Sequence, residues 1–506
     1  MQTELFNTII YIGIMKTSFR KYILAAALTA SAGTLMAQDL NSGYFTEDFK
    51  YRHDMNAAYG NDQGYVAIPI LGNFNMRVQG SFGIGDVLFK NPDYGVKPGA
   101  KKTTTLLHPD ISYSEAMSGL DKDGNNLMLD LDLPIISVGF KGIGGYNTIE
   151  LKERTHFGVS MPYSFFDFAK SMSNKEYTFD DMGLRGWSYA ELALGHSRKI
   201  FDNLRVGAKV KLLIGAAYAD MSMEGMKAKL SDTGKWTLEG KAKAELNMKG
   251  AKFKTEQKEY KATPGKYYNE VNGLDNDGAG VGGFGLGLDL GGIYEFKDCS
   301  VEWLNGLKVS AAIADLGFIS WSETMLAESS GDPFVFDGFQ MKYVNGKFEN
   351  GGDNISDDLA DFAHLEENKE KSGGSKSTAL ASTIRLGLEY PMPFYNKLSA
   401  GLLYSHRFDG IYSWTEGRLS ANVAPTSWFS GGVNFAVTSY CSTMGWILNF
   451  HPAGMNVFMG MDHMIGKTGA KMIPLDSNVS FNFGMNVAFG SKKKKENHAM
   501  LGTLTF

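Results

Sequence analysis

Residues 479–489 carry a large apolar side chain at every odd position (Val479, Phe481, Phe483, Met485, Val487, Phe489) and a small or polar one at every even position (Ser480, Asn482, Gly484, Asn486, Ala488). Successive side chains of a strand point to opposite faces, so this stretch is a ribbon with one apolar and one small, polar side. About ten residues is the length a tilted strand needs to cross a bilayer. A second such stretch, Met500-Leu501-Gly502-Thr503-Leu504-Thr505-Phe506, ends on an aromatic. Together they predict the closing hairpin of a transmembrane β-barrel, with Phe506 as the closing strand's terminus.

The alternation recurs upstream. Candidate strands bounded by turn residues fall at 65–80, 127–139, 155–166, 187–197, 204–219, 283–296, 307–318, 379–390, 398–408, 411–423, 428–439, 444–450, 455–465, 478–489 and 498–506. Single-chain bacterial barrels close with even counts, so these candidates predict an all-β antiparallel barrel of about 14 strands, within a range of about 12 to 16. Arg205, Lys209, Lys211, Arg385 and Glu389 fall on one face of their strands, opposite Leu, Val and Tyr. That parity is expected to line a water-filled or loop-plugged lumen.

Two insertions interrupt the pattern and are expected to be long extracellular loops. Residues 222–280 are rich in Lys and Glu with period-two stretches, which predicts a hairpin protruding beyond the membrane. Residues 322–378 hold a candidate amphipathic helix over 355–370, then the flexible Lys371-Ser372-Gly373-Gly374-Ser375. Such a helix would cap the pore or sit passively.

Composition agrees. Gly supplies 60 of 506 residues, above the roughly 7% of average usage, and aromatics supply 12%. Small lumen residues and aromatic girdles account for both. The mean hydropathy of −0.19 is what a polar lumen and loops give when averaged with a lipid-facing band. A net charge of −5 gives no reason to expect nucleic acid as a partner.

The N-terminus reads as an export signal over residues 1–37. Lys16, Arg20 and Lys21 form the basic region, residues 22–28 (YILAAAL) begin the apolar core, and cleavage is expected between Ala37 and Gln38. The signal is complete from Met15, the expected true start. No later run offers the roughly 18–20 apolar residues of a spanning helix. An exported chain of this kind is a soluble β protein or an outer-membrane barrel, and strand length favours the outer membrane of a Gram-negative bacterium. Residues 38–64 then form an N-terminal segment and 65–506 the barrel. The partners expected are outer-membrane lipid, lipopolysaccharide and the barrel-assembly machinery.

Candidate chemistry is sparse. Cys299 and Cys441 would share an oxidising compartment and could pair or stay free. Asp121 and Asp123, and again Asp275 and Asp277, precede a Gly as a calcium loop would, yet lack the closing Glu, so plain turns are expected. The run at Lys492 to Lys495 is either a solvated turn or a contact for lipopolysaccharide phosphates. No His lies in a catalytic arrangement, so no enzyme, cofactor or metal is expected.

One segment carries a resemblance. Tyr44-Phe45-x-x-x-Phe49-x-Tyr51-Arg52-His53-x-Met55-Asn56-Ala57-Ala58, followed by Gly64-Tyr65-Val66-Ala67-Ile68-Pro69, resembles the opening of an uncharacterised family of Gram-negative outer-membrane barrels, a domain of unknown function, which often reads Arg-His-x-x-Asn-Pro-Ala here. More distantly, Asn56-Ala57-Ala58 is similar to the Asn-Pro-Ala box of FadL-type long-chain fatty acid transporters, with Ala57 in place of Pro; a Type IX secretion shuttle barrel shares that architecture. The resemblance implies that residues 38–64 plug the barrel and that Tyr44, Phe45, Phe49, Tyr51 and Met55 line an apolar ligand path. The function expected is passive transport of a small, hydrophobic molecule. A scaffold or shuttle barrel for a secreted or surface protein is the alternative, and a general porin a further one.

Overall fold

The computed structural model describes residues 40–171, 175–230, 236–259, 265–276, 278, 280–329, 334–336, 342–344, 347–349, 365–464 and 478–490. Ala37, Gln38, Asp277, Lys492 to Lys495 and Phe506 lie outside them.

Fourteen antiparallel strands form one closed barrel. The first, β1, comes in two pieces, Gly64–Ala67 and Phe74–Gly80. Then follow β2 (Asn125–Gly142), β3 (Gly145–Met161), β4 (Gly183–Phe201) and β5 (Leu204–Leu230). β6 (Gly283–Glu295), β7 (Lys308–Trp321), β8 (Ser382–Pro391), β9 (Leu398–Phe408) and β10 (Trp414–Thr426) continue the wall. β11 (Phe429–Thr438), β12 (Ser442–Phe450), β13 (Met455–Met461) and β14 (Val479–Phe489) complete it. Each strand pairs with the next in sequence. β14 pairs with β13 on one edge and with both pieces of β1 on the other, so neither edge is left open.

This corrects the expected closing hairpin. Among the described residues, 479–489 close the barrel, with both edges of β14 paired; the second stretch of the expected hairpin, 500–506, lies outside them. The other 14 candidate strands each fall on a barrel strand. The candidate at 65–80 is broken at 68–73, where Pro69 supplies no N–H and Ile70 takes a positive φ of 68°. Its neighbour β2 bulges opposite, at Pro134–Ile136.

The side-chain pattern follows from the two solvents. On β14, Ser480, Asn482 and Asn486 are buried inward while Phe481, Val487 and Phe489 stand exposed outward. On β5, Lys209, Lys211 and Leu213 face in, and Val210, Leu212 and Ile214 face out. An apolar exterior around a polar interior is the arrangement of a membrane-spanning barrel.

The connections sort by length onto the two ends. Residues 143–144, 202–203, 427–428 and 451–454 make tight turns at one end. The long connections, 81–124, 162–182, 231–282 and 322–381, lie at the other. There β5, 27 residues long, continues past the apolar belt and pairs with Trp236–Met248, which pairs in turn with Met325–Glu328. A second hairpin joins Ala251–Glu259 to Tyr267–Asn276. The expected protrusion at 222–280 is thus two hairpins. The expected helix at 355–370 is not seen at its described end, where Glu366–Glu367 pairs as a short strand; its beginning lies outside the described residues.

Residues 81–124 build a small cap with its own apolar core. Phe82, Phe89, Leu106, Ile111 and Met117 pack against Phe166 and Ala169 of the helix Tyr163–Ser171.

Candidate functional site

The lumen is organised in three levels along the barrel axis. At the short-turn level lies the segment 40–63. Its aromatic side chains are buried together: Tyr44, Phe45, Phe49, Tyr51 and Met55 form one cluster with Leu40, Tyr65, Leu403, Ile447 and Phe458. Each of the five is 5% exposed or less, so they meet protein on every side. Tyr51 OH donates to Asn486 Oδ1 at 2.6 Å, and Tyr44 OH and Ser310 Oγ share a hydrogen bond at 3.0 Å.

Glycines make room for this segment. A Cβ on Gly207 would lie 2.0 Å from the Ala57 carbonyl oxygen, and one on Gly291 would lie 2.0 Å from Asn56 Oδ1. Asn56 holds the local turn: its Oδ1 accepts from Ala58 N–H (2.9 Å) and its Nδ2 donates to Tyr44 OH (3.1 Å). The Asn-Ala-Ala stretch therefore sits against bare backbone of β5 and β6, where any larger inward side chain would displace it.

Beside it, Lys209 Nζ donates to Asp54 Oδ1 (2.5 Å) and Glu150 Oε2 (2.6 Å), with His53 Nδ1 at 3.3 Å. His53, Asp54 and Glu150 have the donor atoms and closeness of a metal site, all within 4.8 Å. The ammonium of Lys209 already occupies the centre of that cluster, so the positive charge there is supplied by the chain.

The middle level is a layer of buried ion pairs. Arg154 on β3 donates to Asp132 (3.1 Å), Glu191 (3.1 Å) and Asp315 (2.7 Å). Lys211 reaches Asp315 at 2.6 Å and Asp289 at 2.8 Å. Asp315 gets there through local strain: it has a φ of 61° where the β6–β7 register slips between Leu288 and Leu290. Asp and Asn tolerate this left-handed backbone better than most residues. Arg418 grips Glu416 with two 2.8 Å hydrogen bonds. Asp462 accepts from the backbone N–H groups of Asn41 (2.9 Å) and Ser42 (2.6 Å), which ties the segment's start to this layer. Charges this deeply buried stand only because each meets an opposite charge and further hydrogen bonds.

Of the two linings expected for the charged face, water-filled or loop-plugged, the water-filled one is corrected at three of its five residues. Lys209, Lys211 and Arg385 do face inward, but all three are buried against protein. Arg385 donates to Asn41 Oδ1 and to the Met55 carbonyl, each at 3.4 Å. Glu389 pairs with Lys308 at 3.2 Å. Arg205 donates to Ser197 Oγ at 3.3 Å.

Above the ion pairs, toward the long-loop end, a cavity of about 540 Å³ opens. Trp187, Tyr189, Tyr218, Ile319 and Trp321 line it, with Arg185, Asp220, Lys376 and Asp409 also on its wall. Trp187 stacks on Tyr189 (5.1 Å, 24°), and Tyr218 lies 5.5 Å from Trp321. Trp321 Nε1 donates to Thr378 Oγ1 at 2.8 Å. The alternation carried a signal for this site that the strand reading did not use. Arg185, Trp187, Tyr189 and Glu191 share one parity on β4, so the aromatics fall on the charged, inward face.

Other candidates resolve simply. Cys299 and Cys441 are not joined by a disulfide and stand at opposite ends of the barrel, in the 296–307 and 439–441 connections. Asp121 Oδ1 accepts from Asp123 N–H (3.0 Å) and Asn125 Nδ2 donates to the Asp121 carbonyl (2.9 Å), which makes an ordinary side-chain-closed turn. Asp275 lies in the strand Tyr267–Asn276.

A family model described as "Family of unknown function (DUF5723)" matches residues 57–462, and the chain belongs to that family. No curated protein matches it. Among solved structures, the Ralstonia pickettii toluene transporter TbuX is similar at 9% identity and a TM-score of 0.40, covering 90% of this chain and 96% of that one. The Pseudomonas putida toluene transporter TodX is similar at 8% identity and a TM-score of 0.37, covering 90% and 94%. A Pseudomonas aeruginosa FadL homologue is similar at 10% identity and a TM-score of 0.33, covering 90% and 93%. Likeness at this level fixes no cargo; the barrel stands on its own strand pairing.

Proposed function

We propose that this DUF5723 member sits in a Gram-negative outer membrane, its long loops outside, and takes up a small molecule with an apolar face. The aromatic cavity is the entry site and residues 40–63 are the plug. The observation that carries this reading is the pairing of an outward-opening cavity lined by Trp187, Tyr189, Tyr218 and Trp321 with a lumen filled below it. A cavity of about 540 Å³ is in the size range that encloses a small ligand. Because that lumen is filled by the segment and the ion-pair layer, a general porin is the reading least supported. Passage requires the segment to move, and Tyr44, Phe45, Phe49, Tyr51 and Met55 would face the molecule as it does.

A scaffold role is the second reading, favoured by the hairpins that extend β5 past the membrane belt. Native mass spectrometry of the full chain, gently extracted from its own membrane, separates the two. Uptake predicts a released small molecule that is lost in Trp187→Ala. A co-purifying protein without any small molecule would replace this reading with the scaffold.

A further inference from the structure

The lipid-facing wall has a hollow directly behind the plug. Over β4 to β8 one outward row runs in register as Arg198, Val206, Gly292, Ala311 and Leu386. Elsewhere the same face carries bulk, as at Leu192, Leu194, Val210 and Leu286, all exposed. Here the centre of the row has almost no side chain. The result is a hollow of about 660 Å³, lined among others by Val206, Ala208, Leu290, Ala311 and Ile313. A Cβ on Gly292 would meet nothing within 4 Å, so the space over its backbone is open. Gly207 and Gly291 form part of the floor, and the Asn56–Ala58 turn covers their inner side. The hollow therefore opens outward, to lipid. A gap against a wall forfeits dispersion contacts, and in a bilayer a hydrocarbon chain fills it.

Charge at the hollow's edge selects among lipids. Arg198 is exposed and shares its outward parity with Leu192 and Leu194. It makes no hydrogen bond or ion pair with the described residues. His196, at the same edge, is engaged: its Nδ1 and Asn147 Oδ1 share a hydrogen bond at 2.9 Å. Arg198 lies near the 202–203 turn, and Tyr294 marks the same end of β6 on the outward face. An aromatic at this level belongs to the interfacial girdle, so Arg198 reaches the headgroups of the leaflet on the short-turn side. A guanidinium facing lipid is costly unless it meets an anion, and its planar fork suits a phosphate.

We propose that this hollow is a seat for one anionic glycerophospholipid, with its phosphate on Arg198 and an acyl chain lying across Gly292 and Ala311. The seat stands on the geometry of the wall. Only the assignment to the periplasmic leaflet rests on the orientation proposed above.

The test is native mass spectrometry of the full-length, detergent-solubilised barrel, titrated with phosphatidylglycerol or with phosphatidylethanolamine of identical chains. Phosphatidylethanolamine has the same phosphate but carries its own ammonium. The wild type should retain one phosphatidylglycerol at a roughly fivefold lower lipid concentration, the scale of one basic side chain at an anionic surface. In Arg198→Gln that preference should vanish. In Gly292→Leu, whose new side chain has room to enter the hollow, both lipids should be lost. Heat-modifiable migration checks that the variants fold. Equal retention of the two lipids by the wild type, or an unchanged preference in Arg198→Gln, overturns the anionic headgroup contact. Unchanged retention in Gly292→Leu overturns the hollow as the seat. A wild type that carries no lipid and runs as a dimer gives the hollow to a second copy and overturns the proposal outright. If a variant does not fold, the wild-type comparison decides alone. None of these outcomes touches the aromatic cavity, so the uptake reading stands or falls separately.

Discussion

Arg407 and Asp130 meet across the lumen, their side chains 3.6 Å apart. They stand on β9 and β2, seven steps apart either way round a ring of fourteen, and so on opposite walls. The contact is a charged chord through the middle of the barrel, and His156 on β3 joins it through Asp130 at 2.7 Å. Both side chains are buried, so the chord is structural as well as obstructive.

Breaking the chord from one side should be worse than removing it. Arg407→Ala or Asp130→Ala alone leaves a buried charge and should cost about 3–5 kcal/mol. The double variant Asp130→Ala/Arg407→Ala should cost less than the sum. Urea-unfolding midpoints of the four proteins check this, and additive losses would mean that the pair is not coupled.

The glycines under the Asn56–Ala58 turn should tolerate nothing larger. Gly207→Val and Gly291→Val should each lift the segment from the wall, with a loss of about 1–3 kcal/mol. Limited proteolysis reports the result directly: cleavage within residues 40–63 should appear in both variants and be absent from the wild type.

Replacing Lys209 and Lys152 should turn an ion-pair site into a metal site. In Lys209→Ala/Lys152→Ala the donors of His53, Asp54 and Glu150 remain within 4.8 Å of one another with neither ammonium against Asp54, a set that suits zinc. Millimolar Zn²⁺ should raise the unfolding temperature of this variant and leave the wild type unmoved.

The cap should loosen in acid. Asp167 is held below the ordinary carboxylate range: burial pushes it up, but donation from Lys175, Tyr113 and Ser171 outweighs that. A depressed folded-state value stabilises the fold above the unfolded value of about 3.9 and is lost as pH falls through the folded one. Protease sensitivity of residues 81–124 should therefore rise below about pH 4, and Asp167→Asn should abolish that dependence.

The two cysteines report which way the barrel sits. With the long loops outside, a membrane-impermeant maleimide added to intact cells should label Cys441 and spare Cys299 until the cells are opened. The reverse pattern would invert the orientation, and a mobility shift on reduction would contradict the separation of the two thiols.

Much of the wall was legible because a strand between lipid and a polar lumen must alternate, and alternation is local. The boundaries blurred where a loop element imitates a strand end: the candidate at 155–166 ran on into the helix Tyr163–Ser171, whereas β3 begins earlier, at Gly145. Lys209 and Lys211 were readable as inward-facing, but their carboxylate partners were not. Those partners sit on other strands, and sequence parity says nothing about which walls approach each other. The same limit hid the cavity, whose Trp187 and Trp321 are separated by two intervening strands.

The segment at residues 40–63 also has a consequence for the order of assembly. Its hydrogen bonds reach forward by hundreds of residues, from Asn41 to Asp462 and from Tyr51 to Asn486. Contacts of such sequence separation form slowly, since the intervening chain must be ordered before they can be made. The berth that receives this segment is complete only once β14 has met β1. A stretch made near the beginning of synthesis must therefore wait, unhoused, for nearly the last strand to close, and barrel closure and lumen filling become one event in the maturation of the protein.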